Sequence, residues 1–163
     1  MSLRTDLGKL AAGHWQNEYV NIRPITTESD LIYLGFDCQL TDEQQALVNP
    51  FWFSIGRAYL NRENNYPCII YNGQDDPVGF INLSKWFGSG DAYSWSYYVD
   101  KNQQGGYGRH AAELAIHILK AADPEKMIKL STEARNVKAQ TLYLSLGFEK
   151  LAEMDGDDLV FGM

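Results

Sequence analysis

The chain has 163 residues, of which 45% are hydrophobic and 21% charged, the composition of a folded globular protein. Its net charge of −7 would repel phosphate backbones, so we do not expect a nucleic-acid partner. No apolar segment approaches the roughly 18 residues of a membrane span, residues 1–13 lack the apolar segment of a signal peptide, and Cys38 and Cys68 have no motif spacing. These features predict a cytoplasmic protein with free thiols and no membrane partner.

The N-terminal third predicts one strand and two or three helices. Residues 3–16 form a weakly patterned candidate helix, and residues 19–25 alternate apolar and polar residues as a half-buried strand does. Residues 26–30 offer helix-capping side chains ahead of Leu31. A further helix is predicted for residues 50–61, with Pro50 in its first turn.

The middle of the chain predicts three antiparallel strands. Residues 66–71 and 78–83 are short apolar runs on either side of Asn72-Gly73, and Asn-Gly is a strong hairpin signal. The aromatic-rich residues 92–99 would extend the same sheet.

The C-terminal part predicts helix, strand, helix and a final hairpin. A helix follows Arg109, with its apolar side chains on one face, and it ends before Asp123-Pro124. Residues 127–131 read as a strand parallel to 92–99. Asn136 is a good N-cap and Gly147 a good C-cap for the next helix, and residues 148–154 and 159–163 would pair as strands.

Together these elements predict a mixed α/β fold. Its central sheet has six to seven mostly antiparallel strands and is flanked by about four helices. We expect one domain over residues 1–163, with residues 1–18 as a possible N-terminal extension.

A glycine cluster lies between the third predicted strand and the next helix. Gly105, Gly106 and Gly108 precede or open that helix, and Arg109 lies in its first turn. Such a loop can expose backbone N–H groups to a phosphate, although a structural turn without a ligand is the alternative. The Walker A pattern is absent, and the order and position differ from the dinucleotide fingerprint.

Two motifs carry a family resemblance. Gln103, Gly106 and Gly108 form Gln-x-x-Gly-x-Gly, and about 30 residues later an Asn136-capped helix carries Tyr143 and ends in Gly147-Phe148. In this order they resemble the GNAT-type superfamily of acyl-CoA-dependent N-acetyltransferases. The predicted element order resembles that fold, and small-amine or polyamine acetyltransferases are the most similar in character.

The resemblance implies acetyl-CoA as co-substrate. We expect no metal site, because His14, His110 and His117 have no clustered ligands beside them. It implies that residues 100–163 form the cofactor-binding half and that helices within residues 19–99 contribute the acceptor site. Tyr143 would be the acid that protonates the leaving thiolate, and dimers are frequent in the superfamily. The implied cofactor-binding residues are Tyr98, Val99, Gln103, Gln104, Gly105, Gly106, Tyr107, Gly108, Arg109 and Asn136.

The general base and the acceptor remain open at this stage. Residues 95–98 contain no carboxylate, which leaves Asp91, Asp100 and Glu133 as alternatives. The expected acceptor is a small cationic amine, with a protein N-terminus or lysine as an alternative; a non-catalytic acyl-CoA sensor is the rival function. Glu63 and Asp37 are acidic candidates in the acceptor region. Six aromatic residues would line the acceptor pocket or belong to the core: Phe36, Phe51, Trp52, Tyr59, Trp86 and Phe87.

Overall fold

Seven strands form one continuous sheet in the computed structural model of the chain, which describes residues 2–103 and 105–163. The order across the sheet is β1-β2-β3-β4-β5-β7-β6, and every neighbouring pair is antiparallel except β4 and β5. The predicted fold class is therefore confirmed. The strands are β1 (Val20–Pro24), β2 (Asn65–Asn72), β3 (Pro77–Lys85), β4 (Ala92–Val99), β5 (Met127–Thr132), β6 (Glu149–Asp155) and β7 (Asp158–Gly162).

The helices are more numerous and shorter than the sequence predicted. The candidate helix within residues 3–16 is present only over Leu3–Leu7: α1 ends where Gly8 donates its N–H to the Arg4 carbonyl, and a separate 3-10 turn follows at Ala12–Trp15. Between β1 and β2 lie three α-helices, since Thr41 and Gln44 form a capping box that starts an unpredicted α3. A π-helical segment at Tyr33–Asp37 and a 3-10 turn at Arg62–Asn64 accompany them. The helices are α1 (Leu3–Leu7), α2 (Glu28–Ile32), α3 (Asp42–Leu47), α4 (Phe51–Leu60), α5 (Tyr107–Ala122) and α6 (Val137–Ser145).

Helix α5 packs against the sheet and connects β4 to β5, the parallel pair of the described sheet. Its stripe of Ala111, Leu114, Ala115, Ile118 and Leu119 is fully buried, as the helical period predicts. The N-terminal segment joins the same core through Leu3 and Leu7, and its Asp6 accepts a 2.6 Å hydrogen bond from the Tyr93 hydroxyl. Helix α5 is thus held between the N-terminal segment and the sheet.

A gap opens between β4 and β5. Their parallel pairing is confined to Ala92 with Met127 and Tyr93 with Ile128. Beyond Tyr93, β4 remains paired with β3 as far as Val99, and β5 pairs instead with β7 from Lys129 onward. The two strands therefore diverge in the middle of the sheet, and the gap lies beside the first turn of α5.

Candidate active site

The glycine loop enters α5 through left-handed backbone. Gly105 and Gly106 have φ angles of 131° and 73°, and Gly106 is the N-cap of α5. Any other residue would be strained there, at a cost of about 1–2 kcal/mol in the left-handed region. Among residues 2–103 and 105–163 no side chain caps the helix, so with respect to these residues its first N–H groups stay available to an anion.

The remaining loop residues predicted to bind the cofactor lie around this turn. The Gln103 N–H donates to the Asp100 carbonyl (3.0 Å), and Tyr107 packs against the main core. Arg109 donates to Glu113 (3.0 Å) and to Ser145 of α6 (2.8 Å), so it ties the start of α5 to the end of α6. Gln104 lies outside the described residues.

Gly108 faces the gap between β4 and β5. A methyl group added to it would lie 3.8 Å from both the Tyr97 hydroxyl and a Val99 methyl. The start of α5 and the end of β4 therefore face each other across a small space. Gly108, which has no side chain, leaves this space open. Tyr97, which sequence reasoning did not select, has its hydroxyl in this space.

The backbone of β4 alternates between β3 and the gap. The Ala92 carbonyl accepts from the Trp86 N–H, and the Asp100 N–H donates to the Val78 carbonyl, so even-numbered residues present their backbone groups to β3. By the same alternation Tyr97 and Val99 present theirs to the gap. The Val99 carbonyl accepts there from the Gln44 side chain (2.8 Å). This alternation favours Val99 over Tyr98 as a backbone partner for a thioester.

Tyr143 projects from α6 into the core beside the gap. Its side chain is 8% exposed, and its ring packs against Phe148 and Phe161 with centroids 5.9 Å away. Burial raises the pKa of Tyr143 to about 12, which keeps the phenol protonated at neutral pH. Burial, and next the neighbouring Tyr143 phenol, raises the pKa of Tyr97. Two protonated phenols thus lie close together at the gap.

A cleft of about 670 Å³ spans this region. It brings together three predicted site residues, Tyr98, Asn136 and Tyr143. The Asn136 side chain accepts from the Ala139 N–H (3.1 Å) and so caps α6 as predicted. Tyr98 faces the opposite side of the sheet from Tyr97 and packs on Phe80.

Three carboxylates line the cleft: Glu133, Asp155 and Asp158. Asp155 and Asp158 are directly opposed in the β6–β7 pairing, which places their side chains on one face about 5 Å apart at Cβ. Burial, followed by repulsion from Asp155, Glu133 and Asp157, raises the pKa of the Asp158 carboxyl. Within the described residues neither aspartate of the pair has a cationic partner, whereas Glu133 is paired with Arg135.

Glu133 is the only one of the three predicted base candidates in the cleft. Asp91 binds Lys85 and Lys126. Asp100 is buried, and it accepts from the Tyr33 hydroxyl and the Asn102 N–H, which is a structural role. The sequence contains no local signal that would have selected Asp155 or Asp158, because the strand order brings their hairpin beside β5.

Most of the predicted pocket aromatics lie elsewhere. Phe36, Trp52 and Tyr59 are exposed on the surface, and Phe51 and Trp86 pack in two smaller hydrophobic clusters. Of the six, only Phe87 lines the cleft, where Phe53 and Arg57 of α4 join it. The acidic candidates Glu63 and Asp37 do not line it either; Glu63 accepts a hydrogen bond from Ser2.

Residues 2–103 and 105–163 contain neither a metal-binding cluster nor a membrane-spanning helix. No group of three or more His, Cys, Asp or Glu side chains there could hold a metal ion. No helix among these residues is long and apolar enough to cross a membrane. Cys38 and Cys68 are free thiols.

The fold is shared with solved acetyltransferase structures of low sequence identity. The GNAT domain of S. lividans PAT has a TM-score of 0.69 at 15% identity, over 95% of this chain and 99% of that one. The spermidine/spermine N-acetyltransferase SpeG from Vibrio cholerae, in mutant forms, gives 0.64 at 15% identity, over 90% and 94%. An aminoglycoside acetyltransferase in complex with coenzyme A gives 0.65 at 20% identity, over 88% and 94%. No curated protein sequence matches the chain significantly.

The sequence match identifies the family. Residues 32–148 match the acetyltransferase (GNAT) family, and this span includes both the glycine loop and Tyr143. The chain belongs to this family, and it is an acyl-CoA-dependent N-acetyltransferase with acetyl-CoA as its co-substrate.

Proposed function

We propose that this chain transfers the acetyl group of acetyl-CoA to a primary amine of a small cationic acceptor, by direct attack in a ternary complex. The single observation that carries the proposal is the cleft itself. It places Tyr143 in one cavity with Asp155 and Asp158, whose negative charges have no cationic partner in the described chain. An ammonium group is the ligand that such carboxylates attract, and the phenol is the acid that the leaving thiolate needs.

Cofactor binding would use the elements that face the gap. Backbone N–H groups from Gly105 to Arg109 would hold the pyrophosphate at the positive end of α5. The pantetheine arm would lie along the free edge of β4, near Tyr98, Val99 and Asn136. The Val99 N–H would polarise the thioester carbonyl and stabilise the oxyanion that forms on attack.

The reaction would require three proton transfers. The acceptor enters as an ammonium ion, and a cleft carboxylate takes one proton, directly or through water. The raised pKa of Asp158 makes it the best suited of the three. The amine nitrogen then attacks the thioester carbon and the C–S bond breaks. Tyr143 donates its proton to the sulfur, and the amide nitrogen loses its second proton, which restores the phenol through solvent.

A panel of amines tests this function. Free coenzyme A release from acetyl-CoA is measured with diamines, spermidine, amino acids, aminoglycosides and peptides, with amine-free reactions as the blank. We expect turnover with small amines that carry positive charge. Turnover with peptides alone would replace the proposed acceptor with a protein amine. Tight acetyl-CoA binding without turnover on any amine would support the acyl-CoA sensor instead.

A further inference from the structure

Arg57 lies in the cleft without an anionic partner. It projects from α4, is half-buried, and lies with its guanidinium 5.8 Å from the Phe53 ring centroid and 5.6 Å from that of Phe87. Within residues 2–103 and 105–163 its side chain has no ion pair or hydrogen bond. By contrast, Arg23, Arg109 and Arg135 form ion pairs with Asp75, Glu113 and Glu133. Arg4 donates to the Arg62 carbonyl, and Arg62 is exposed on the surface.

The two rings lie within cation–π distance of the guanidinium group. Aromatic faces attract the cation and restrict its plane, but they leave its N–H donors unpaired. A planar guanidinium recognises a carboxylate through two parallel hydrogen bonds, a geometry that an ammonium group cannot offer. A partly desolvated arginine without an acceptor is therefore well prepared to bind a carboxylate that arrives with a ligand.

The unpaired charges of the cleft come from separate elements. Arg57 lies on α4, whereas Asp155 and Asp158 lie at the turn of the β6–β7 hairpin. A simple polyamine would satisfy the aspartates and be repelled by the arginine. A molecule that carries an ammonium group and a carboxylate at different positions would satisfy both.

We propose that the acceptor is an amine that also carries a carboxylate, such as a diamino acid, and that Arg57 binds this carboxylate while Asp155 and Asp158 receive the ammonium group. The proposal rests on the proposed function and narrows its acceptor class. Arg57 is a specificity-determining residue in this account, and it takes no part in proton transfer.

Matched acceptors that differ by one carboxylate test the proposal. Lysine is compared with cadaverine and ornithine with putrescine, and kcat/KM is measured for the wild type, Arg57→Gln and Arg57→Lys. We expect the wild type to prefer the amino acid of each pair by about tenfold or more. Arg57→Gln should lower kcat/KM for the amino acids by about tenfold to a hundredfold and leave the diamines unchanged or improved. Arg57→Lys should retain part of the preference.

Two controls separate specificity from general damage. Arg23→Gln removes an arginine that is bound to Asp75 outside the cleft, and it should leave both preferences unchanged. The KM for acetyl-CoA should not change in either Arg57 variant, and the melting temperatures should stay close to that of the wild type.

Several results would overturn the proposal. One is a wild-type preference for the diamines. Another is an Arg57→Gln variant that loses kcat/KM equally for the amino acid and the diamine of a pair. A third is an Arg57 variant whose main effect is a raised KM for acetyl-CoA. Turnover only with amines that lack a carboxylate would overturn it as well, yet leave the proposed acetyl transfer intact. Absence of turnover with any amine would overturn both.

Discussion

Asp158 lies at a functional position and reduces the stability of the folded protein. Its carboxyl group is partly buried beside two other acidic side chains of the cleft, and among the described residues neither Asp158 nor Asp155 has a cationic partner. Burial disfavours the ionised form, and repulsion from Asp155, Glu133 and Asp157 disfavours it further, so the pKa of the Asp158 carboxyl is raised. A site that prepares a proton acceptor is therefore expected to reduce stability.

Replacing Asp158 by Asn should raise the melting temperature at pH 7. The pKa of Asp158 in the folded state is raised above the ordinary 3.8. The protonated carboxyl therefore contributes its full stability below pH 3.8, and this contribution is lost as pH rises through the folded-state pKa. We expect a gain of roughly 2 °C at pH 7 that vanishes near pH 4, measured by thermal unfolding at both pH values.

The same variant should raise the KM for the amine acceptor or lower kcat, because it removes both a charge and a base. Glu18→Gln, at an exposed site outside the cleft, is the control for loss of one negative charge. An Asp158→Asn protein that is less stable at pH 7, or fully active, would count against this role for the cleft carboxylates.

At the scale of secondary-structure elements, the site depends on the gap that forms where β4 and β5 diverge beside the first turn of α5. The two strands pair over only two residues each, and the glycine loop faces the gap that follows. Gly108 has an ordinary φ angle, and a methyl group there would make only normal contacts at 3.8 Å. A glycine at position 108 is therefore better explained by the space that a ligand needs than by backbone strain.

Gly108→Ala should weaken acetyl-CoA binding without weakening the fold. Alanine favours a helix more than glycine does, so the unfolding free energy should stay the same or rise. The methyl group would occupy the space in front of Tyr97 and Val99, and we expect the Kd for acetyl-CoA to rise about tenfold by calorimetry. Gly56→Ala, in open space on α4, is the matched control; equal Kd values for both variants would contradict the assignment.

Local patterns predicted the elements better than they predicted the cleft. The stripe on α5, the Asn72-Gly73 hairpin and the Asn136 cap depend on neighbouring residues, so their sequences contain the signal. Helix α3 was missed although Thr41 and Gln44 carry a capping-box pattern. Asp155 and Asp158 could not be found, because only the order β5-β7-β6 brings their hairpin to Glu133.

The aromatic residues show why side-chain location was harder to predict than helix location. Helix α4 was predicted within one residue at each end, yet Trp52 and Tyr59 face solvent, while Phe53 and Arg57 face the cleft. The rotation of a helix about its axis depends on contacts with distant elements. Composition and helical period do not specify those contacts in a helix with apolar residues on several faces.

At the scale of the whole molecule, the net charge of −7 and the carboxylates of the cleft have the same sign. Their combined field should attract cationic acceptors and raise their local concentration at the cleft. Salt screens such attraction, since the Debye length shortens from about 30 Å at 0.01 M to about 8 Å at 0.15 M.

The KM for a cationic acceptor should therefore rise severalfold between these two salt concentrations, while kcat stays nearly constant. Steady-state kinetics with one acceptor at both ionic strengths provide the measurement. A neutral amine of similar size is the control and should show little change. A KM that is independent of salt for the cationic acceptor would mean that the acidic surface serves solubility alone.

The most direct test of acetyl transfer at this site compares the wild type with Tyr143→Phe, using release of coenzyme A with the best acceptor. The ring contacts with Phe148 and Phe161 remain in the variant, so the melting temperature and the Kd for acetyl-CoA should not change. We predict a fall in kcat of about a hundredfold or more, and no fall in Tyr59→Phe, whose ring is exposed. Wild-type kcat in Tyr143→Phe would contradict the assignment of Tyr143 as the acid.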